Sequence, residues 1–324
     1  MLKKFLFLVL TVFVLNAVTG AEAESKNSSE IKKYHSGVYI NRINSFDVKT
    51  GVAEIDIWYW CVTDKAEASL QTLDLSNGKL EAIGEPVKQK YGNRYYVSRR
   101  YLAQVQCLID ISRFPFDKQQ IVLAFEDGEF TSDQMVFSPD IRNSGIDPAF
   151  KMGEWDIAQI SYKTGSHNYP TSFGYLDIPS GQGSDYSQML VVIDLNRKGT
   201  VWQKLFKYFW AVFVSLIVGL VSLFIRVCDL DGRFGMEVGS LFANVGCSFI
   251  LVEKLPESPG LSLAEHISYF SLGFIMLFIV ESIISLALYN RDRQALSRKL
   301  DIGTFVAGIF GYALMWVILW VRLF

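Results

Sequence analysis

The chain predicts an extracellular all-β sandwich followed by a four-helix transmembrane domain. Three observations carry that class. An apolar stretch behind two lysines opens the sequence, Ser36 to Lys198 has the texture of short strands, and four long apolar runs follow from about Trp202. Hydrophobic residues fill 50% of the 324 positions, enough for a sandwich core and four spans together. The formal net charge is −2, and no run rich in Lys or Arg stands out as a phosphate-binding face, so no nucleic-acid partner is expected.

Residues 1–23 read as a secretory signal. Lys3 and Lys4 form its basic start, Phe5 to Val18 its apolar run, and Ala21-Glu22-Ala23 a small-x-small cleavage site. Residues 24–35 contain no long apolar run and read as a leader or a short helix. Residues 36–199 form the expected sandwich. Val38 to Ile40 and Ala53 to Trp60 alternate apolar with polar residues, as half-buried strands do. Tyr95 to Val97, Val105 to Ile111, Gln120 to Phe125, Met135 to Phe137, Trp155 to Tyr162 and Gln188 to Asp194 read similarly. Turn signals at Ser76-Asn77-Gly78, Tyr91-Gly92-Asn93, Ser144-Gly145 and Gly181-Gln182-Gly183 separate them, a spacing that suits a sandwich. Cys61 and Cys107 would face an oxidising space after export, and one disulfide between them is open. Cys228 and Cys247 read as packing residues, and there is no CxxC.

Residues 200–324 hold spans expected at about 203–226, 232–253, 262–289 and 301–324, each long enough to cross ~30 Å of hydrocarbon as a helix. Arg226 and Arg233 flank the first connection, and Arg291, Arg293, Arg298 and Lys299 fill the third, so both should be cytoplasmic. The connection between them, Glu253 to Ser262, carries Lys254 against Glu253 and Glu257 and should lie outside with the sandwich. Trp316, Trp320 and Arg322 stand where interfacial anchors belong. The second span with its flanks, Asp231 to Pro259, carries Glu237, Ser240, Asn244, Ser248 and four glycines. Polar groups within a span face a bundle interior or water, which makes this helix the candidate pore lining.

The stretch Cys107 to Gln119, with Phe114-Pro115-Phe116-Asp117 at its centre, resembles the signature loop of the pentameric ligand-gated ion channels, the Cys-loop receptors. Cys107 stands seven residues before that element, as the family's first loop cysteine does, while the second would fall at Ile121. Its absence and the short linker between the last two helices resemble the bacterial members. Gly153 to Ile157, Asp194 to Arg197 and Val252-Glu253-Lys254-Leu255-Pro256 resemble further family positions, and the likeness covers about residues 35–324. Three features depart from the pattern. The first span has no Pro, no Trp-x-Pro element is visible, and the loop after Phe125 is acidic.

The resemblance implies a homopentamer in a cell membrane, that of the bacterial inner membrane, with the sandwich outside and the second helix lining the pore. Gly235, Gly239, Phe242, Gly246, Phe249 and Glu253 recur at intervals of 4, 3, 4, 3 and 4, one stripe of a helix in a left-handed bundle. Anchored on Glu253 and Pro256, the resemblance makes this stripe the pore face. Phe242 and Phe249 would close it by dewetting, while Asp231 and Glu253 would ring its two mouths and favour cations. A rival face, Glu237, Leu241, Asn244, Ser248 and Leu251, stays open, and the glycines also suit close helix packing. Glu237 and Glu281 read either as a proton-sensitive relay or as a structural pairing with Arg226 or Arg233, and the structural pairing is preferred.

For coupling between the two domains, the resemblance implies contact of Phe114, Pro115 and Phe116 with the loop Glu257 to Gly260, near Pro256, and with the turn Asn44 to Asp47. Asp117 would pair with Arg197 beneath them. The candidate ligand residues are Trp58, Trp60, Phe130, Phe173, Tyr175 and Tyr186, aromatic groups able to hold an organic cation or simply to pack in a core. On a strand Trp58 and Trp60 share one face, with Tyr59 opposite. Glu126, Asp127 and Glu129 offer oxygens to Ca²⁺ or form a solvated acidic turn. The expected partners are further copies of the chain, lipids, permeant ions and a small-molecule or ionic ligand, with no cofactor beyond Ca²⁺ modulation.

Three other functions compete with a channel. A non-conducting membrane receptor would have no need of a polar second helix. An exported enzyme lacks support, because His35, His167 and His266 are the only histidines and no GxSxG, HExxH or CxxC is present. A transporter would need more spans and internal repeats.

Overall fold

A computed structural model describes residues 31–64, 70, 72–174, 183–258 and 260–323. The signal segment and Tyr175, among the expectations above, lie outside the described residues, as does the Gly181-Gln182 part of one turn signal. Ten strands build two facing sheets. They are β1 (Lys32–Asp47), β2 (Val52–Thr63), β3 (Leu73–Leu75), β4 (Gly78–Tyr91), β5 (Arg94–Gln106), β6 (Lys118–Asp127), β7 (Met135–Pro139), β8 (Gly145–Ile146), β9 (Trp155–Tyr169) and β10 (Ser184–Arg197). One sheet runs β4-β5-β2-β1-β7 with β8 also on β1, and the other runs β3-β6-β10-β9.

Alternation along the strands sends one set of side chains between the sheets. In β2, Ile55, Ile57, Tyr59 and Cys61 are buried while Trp58 is exposed. They meet Val38, Ile40, Leu123, Phe125, Val191 and Ile193 in one core, where the Tyr59 and Phe125 rings lie 5.4 Å apart. Tyr59 also donates to the Ser36 hydroxyl at 2.9 Å. Cys61 and Cys107 are both buried and free, so the disulfide left open by the sequence is not formed. Burial pushes the Cys61 thiol up to about 12, which makes it inert packing.

Four differences from the sequence reading have physical reasons. β1 opens at Lys32, inside the segment read as a leader, because Lys32 to Ser36 pair in parallel with Met135 to Pro139 of β7. β4 carries no apolar alternation, is exposed along nearly all its length, and is held by pairing with β5 from Gly78↔Val105 to Tyr91↔Arg94. Its Lys, Glu and Pro residues are those of a protected edge. β5 stops at Gln106, so Val105 to Ile111 is not one strand. Beyond Cys107 the Gln119 amide takes over, bonding the backbone N–H and C=O of Asp110 at 3.2 and 2.8 Å. Gly145 lies in β8 rather than in a turn.

Gly37 has a specific reason to be glycine. A Cβ there would overlap the Trp60 indole, whose Nε1 donates to Asp140 at 3.3 Å. Gly37→Ala is expected to displace that ring at a cost of about 1–3 kcal/mol, the usual penalty for overpacking. Thermal unfolding together with tryptophan emission would check it.

Among the described residues the helices are α1 (Val201–Ser222), α2 (Leu230–Glu253), α3 (Leu263–Tyr289) and α4 (Gln294–Leu323), and all four are long and apolar enough to cross a membrane. Thr200 and Ser262 start α1 and α3 with capping boxes completed by Gln203 and Glu265. α1 ends earlier than expected, passing through tight turns at Leu223 to Ile225. α4 begins seven residues before the expected 301, because its polar first turns dock on α3. There Ser297 meets the Ser285 hydroxyl at 2.7 Å. Ser285 also donates to Asp301 at 2.8 Å.

Candidate functional site

α2 divides into two faces. Gly235, Gly239, Phe242, Gly246, Phe249 and Glu253 are all exposed, with Phe242 and Phe249 at 70% and 71%. The rival face turns inward, with Glu237, Asn244 and Leu251 buried and Leu241 and Ser248 half-buried. Two of its polar side chains, Glu237 and Asn244, each reach a neighbouring helix through one atom. Ser222 of α1 and Ser282 of α3 donate to Glu237 Oε1 at 3.0 and 2.5 Å. Asn244 Nδ2 reaches the Ser215 hydroxyl of α1 at 3.5 Å. A 3.6-residue period lets both faces coexist one residue apart, and packing against α1 and α3 assigns them. Asp231 in the first turn and Glu253 at the last residue are exposed at the two ends of the stripe.

Arg233 lies at the same end of α2 as Asp231 and is fully buried. It donates to Glu281 of α3 at 2.5 Å, Asp301 of α4 at 3.1 Å and Ser282 at 2.6 Å, and Glu237 is 3.6 Å away. The structural pairing anticipated for Glu237 and Glu281 is therefore with Arg233. Asp301 and the serines were not singled out in the sequence. An acid in an apolar run draws attention, whereas Asp301 sits among polar residues.

The signature loop enters the top of the helices. Phe114, preceding a cis peptide to Pro115, is buried with Leu205, Phe209, Leu255 and Leu263, and its ring stands 4.9 Å from Tyr208. The Leu263 N–H donates to the Ser112 carbonyl at 2.9 Å, a direct bond from loop to α3. Phe116 is half-buried against this cluster, and Pro256 is half-buried next to Leu255 in the sequence. Asp117 and Arg197 form a two-bond pair at 2.8 and 3.2 Å, nearly closed to solvent. The guanidinium stacks 4.3 Å from Trp155 and 5.0 Å from Phe114. Phe46 meets Trp155 at 5.5 Å, while Asp47 closes its own turn through the Lys49 N–H and the Thr50 hydroxyl. The Thr50 bond holds the Asp47 carboxyl below the usual carboxylate range.

The aromatic candidates separate into two surfaces. Phe173 and the buried Tyr186 stand 6.3 Å apart at the end of the β9–β10 hairpin. Tyr169 completes their cluster at 5.2 and 5.6 Å and donates to Glu126 Oε2 at 3.0 Å. Tyr169 was missed because its partners arrive only through the pairing of β9 with β10, Ser184↔Tyr169. Trp58 and Trp60 lie on the outer face of the other sheet, with Tyr59 opposite as alternation requires. Beside them Arg100 grips Asp56 at 2.8 and 2.5 Å and holds its carboxyl below the usual range. Phe130 belongs to neither surface, since it packs on the core under the Lys32 ammonium, 3.6 Å from its ring.

The acidic trio is not brought together as a cation site. Neighbouring positions on a strand point to opposite faces, so Glu126 and Asp127 diverge. Gln188 and Tyr169 occupy the Glu126 oxygens. Asp127 accepts from Thr72 and from the N–H groups of Glu129 and Phe130, and Glu129 is exposed. Among the described residues no group of three or more His, Cys, Asp or Glu side chains is placed to hold a metal ion.

No protein-family model matches the chain. It is similar to the proton-gated ion channel subunit pbo-6 of Caenorhabditis elegans, at 22% identity over 184 residues, which cover 55% of this chain and 40% of that protein. The match therefore spans about two-fifths of the relative's length.

Proposed function

We propose that the chain is one subunit of a ligand-gated ion channel, assembled as a homopentamer around α2 and selective for cations. The observation that carries this reading is the outward stripe of α2. The helix commits Glu237, Ser240 and Asn244 to its own bundle and leaves a regular Gly/Phe stripe, ended by Asp231 and Glu253, without a partner among the described residues. Set around an axis, that stripe makes a channel with acidic mouths and two aromatic constrictions. The likeness to a channel subunit, rather than to an enzyme, supports the same reading.

The sandwich supplies the sensor. The Tyr169–Phe173–Tyr186 cluster and the Trp58 surface lie on different sheets of one subunit, so a ligand held by both would bridge two subunits. The signature loop transmits the signal through Phe114 and the Asp117–Arg197 pair. Opening is then a population shift in which ligand favours one arrangement of this joint. The relative's name makes protons a candidate stimulus beside an organic or divalent ligand.

One finding favours the non-conducting receptor as a second reading. The polar residues Glu237 and Asn244 of α2 turn into the bundle, where each has one polar atom bonded to a neighbouring helix, rather than toward the outward stripe. Planar-bilayer recording of the purified protein across pH, Ca²⁺ and a ligand screen decides between the two. Cation current is expected, and silence under every condition would favour the receptor.

A further inference from the structure

We infer that Glu237 is held as a neutral carboxylic acid, a proton-binding site that ties α1, α2 and α3 together at the end of the bundle away from the sandwich. The inference rests on contacts within one chain and is independent of the pore reading. Three carboxyls surround Arg233, and the guanidinium gives none of its hydrogens to this one. Nη1 and Nη2 donate to Asp301, Nη2 also to Glu281, and Nε to the Ser282 hydroxyl at 2.6 Å. Glu237 Oε1 stands 3.6 Å from that Nε, beyond hydrogen-bond reach. Asp301 keeps some contact with solvent, whereas Glu237 is fully buried. The other basic groups near this end, Arg226, Arg291, Arg293, Arg298 and Lys299, are all exposed, and none pairs with Glu237 among the described residues.

Counting hydroxyl hydrogens locates the proton. Ser222 has one hydrogen and two oxygens within reach, the Gly219 carbonyl at 2.7 Å and Glu237 Oε1 at 3.0 Å. An ionised Glu237 would compete with Gly219 for that hydrogen. A proton on Oε1 reverses the Ser222 contact. The acid then donates to Ser222, and Ser222 keeps its own hydrogen on Gly219. On the other side Ser282 accepts from Arg233 Nε and donates to Glu237 Oε1 at 2.5 Å. The hydrogens thus run one way, from Arg233 through Ser282, Glu237 and Ser222 to the Gly219 carbonyl. Each hydroxyl in the series accepts once and donates once, the arrangement in which neighbouring bonds strengthen one another.

The second oxygen gives independent support. Glu237 Oε2 is closed to solvent and has no hydrogen-bond partner among the described residues. As the carbonyl oxygen of a neutral acid it forfeits one hydrogen bond. As half of a carboxylate it would carry buried charge with neither water nor a donor, which costs far more. The proton is therefore resident, a part of the fold rather than a stimulus arriving at the sandwich. Its removal at high pH would return the Ser222 hydrogen to two competing acceptors and loosen α1 from α2.

The test uses the full chain in detergent, with infrared difference spectra and the thermal unfolding midpoint as readouts. A protonated carboxyl has a carbonyl stretch separate from the carboxylate and amide bands. The unsubstituted chain is expected to show such a band at neutral pH, and Glu237→Gln to lose it. Glutamine copies the shape of a neutral acid, so Glu237→Gln should unfold no earlier than the unsubstituted chain at neutral pH. Above the ordinary carboxylate range the unsubstituted chain should release about one more proton on unfolding than Glu237→Gln does, so its midpoint falls relative to the variant as pH rises. Ser222→Ala keeps the acid but removes its acceptor, and should move the band to higher frequency, a result that stands even if Glu237→Gln does not fold. Asp301→Asn should leave the band in place. A band unchanged in both Glu237→Gln and Ser222→Ala overturns the site, as does the absence of any such band in the unsubstituted chain. So does a midpoint lost by Glu237→Gln at neutral pH as fully as by Arg233→Met, which would make Glu237 an ionised partner of the arginine.

Discussion

Phe242→Ala is expected to raise the resting conductance by about tenfold or more, a change of ~1.4 kcal/mol or more in the closed-state preference. Phe242 is 70% exposed on the isolated chain, so truncating it removes no packing within the subunit and leaves the fold intact. In the proposed ring the same truncation acts on every subunit at once. A constriction that excludes water by apolar bulk becomes wide enough to wet, and wetting is what separates a closed hydrophobic gate from a conducting one. Phe249, two helical turns away, lies ~10.5 Å further along the axis and forms a separate constriction. Its truncation alone should have the smaller effect if Phe242 is the narrower point. Leu241→Ala is the control. Leu241 packs against the cluster of Leu216, Ile275 and Phe278, so its loss should lower thermal stability and leave the closed state shut. Single-channel recording with unfolding curves reads both quantities. A silent Phe242→Ala beside a leaky Leu241→Ala would move the pore register by one residue.

That register shows where sequence reading reaches its limit. On α2 two stripes one residue apart both follow helical periodicity, one of Gly and Phe and one of Glu, Asn and Leu. Polarity favours the second for a pore, and only contact with Ser222, Ser215 and Ser282 shows where those groups turn. Local pattern was sufficient where an element's neighbours are dictated by alternation or by loop chemistry. The outward Trp58 and Trp60 fall in this class, whereas the Asp117–Arg197 contact was expected only from the family resemblance. It was insufficient where an element is held by its partner alone. β4 has no apolar face to betray it and is held by its ladder with β5. Tyr169 and Asp301 join their clusters through hairpin and helix–helix pairings that no local window contains. The acidic run after Phe125, read as a Ca²⁺ site or a solvated turn, is neither along its whole length, since Glu126 and Asp127 are buried. Strand geometry sends Glu126 and Asp127 to opposite faces, and Glu129 lies beyond the end of β6.

Arg233→Met is expected to be the most damaging single substitution, costing about 3–5 kcal/mol, the penalty for leaving buried charges without their partner. The guanidinium is fully buried and joins three helices. It starts on α2 and reaches Glu281 on α3 and Asp301 on α4, with Glu237 beside it and Ser222 tying α1 to the same group. Without it, three carboxylates would share a closed space at the end of the bundle. They would have to take up protons, admit water or move apart, and each route loosens the lower half of the proposed pore helix. Lys is no substitute, because one ammonium cannot present the planar fork that reaches several acceptors. Arg233→Lys should therefore also lose stability, though less than Arg233→Met. The diagnostic experiment is rescue. Replacing a buried ionic group as a set is often neutral, whereas removing one member is not. The triple variant Arg233→Met, Glu281→Gln and Asp301→Asn should recover much of the unfolding midpoint that Arg233→Met loses, measured on purified protein in detergent. If Arg233→Met alone unfolds like the unsubstituted chain, the four-helix end is held by apolar packing and the network is incidental. If the triple variant unfolds no later than the single, the arginine acts by shape rather than by neutralising its acids.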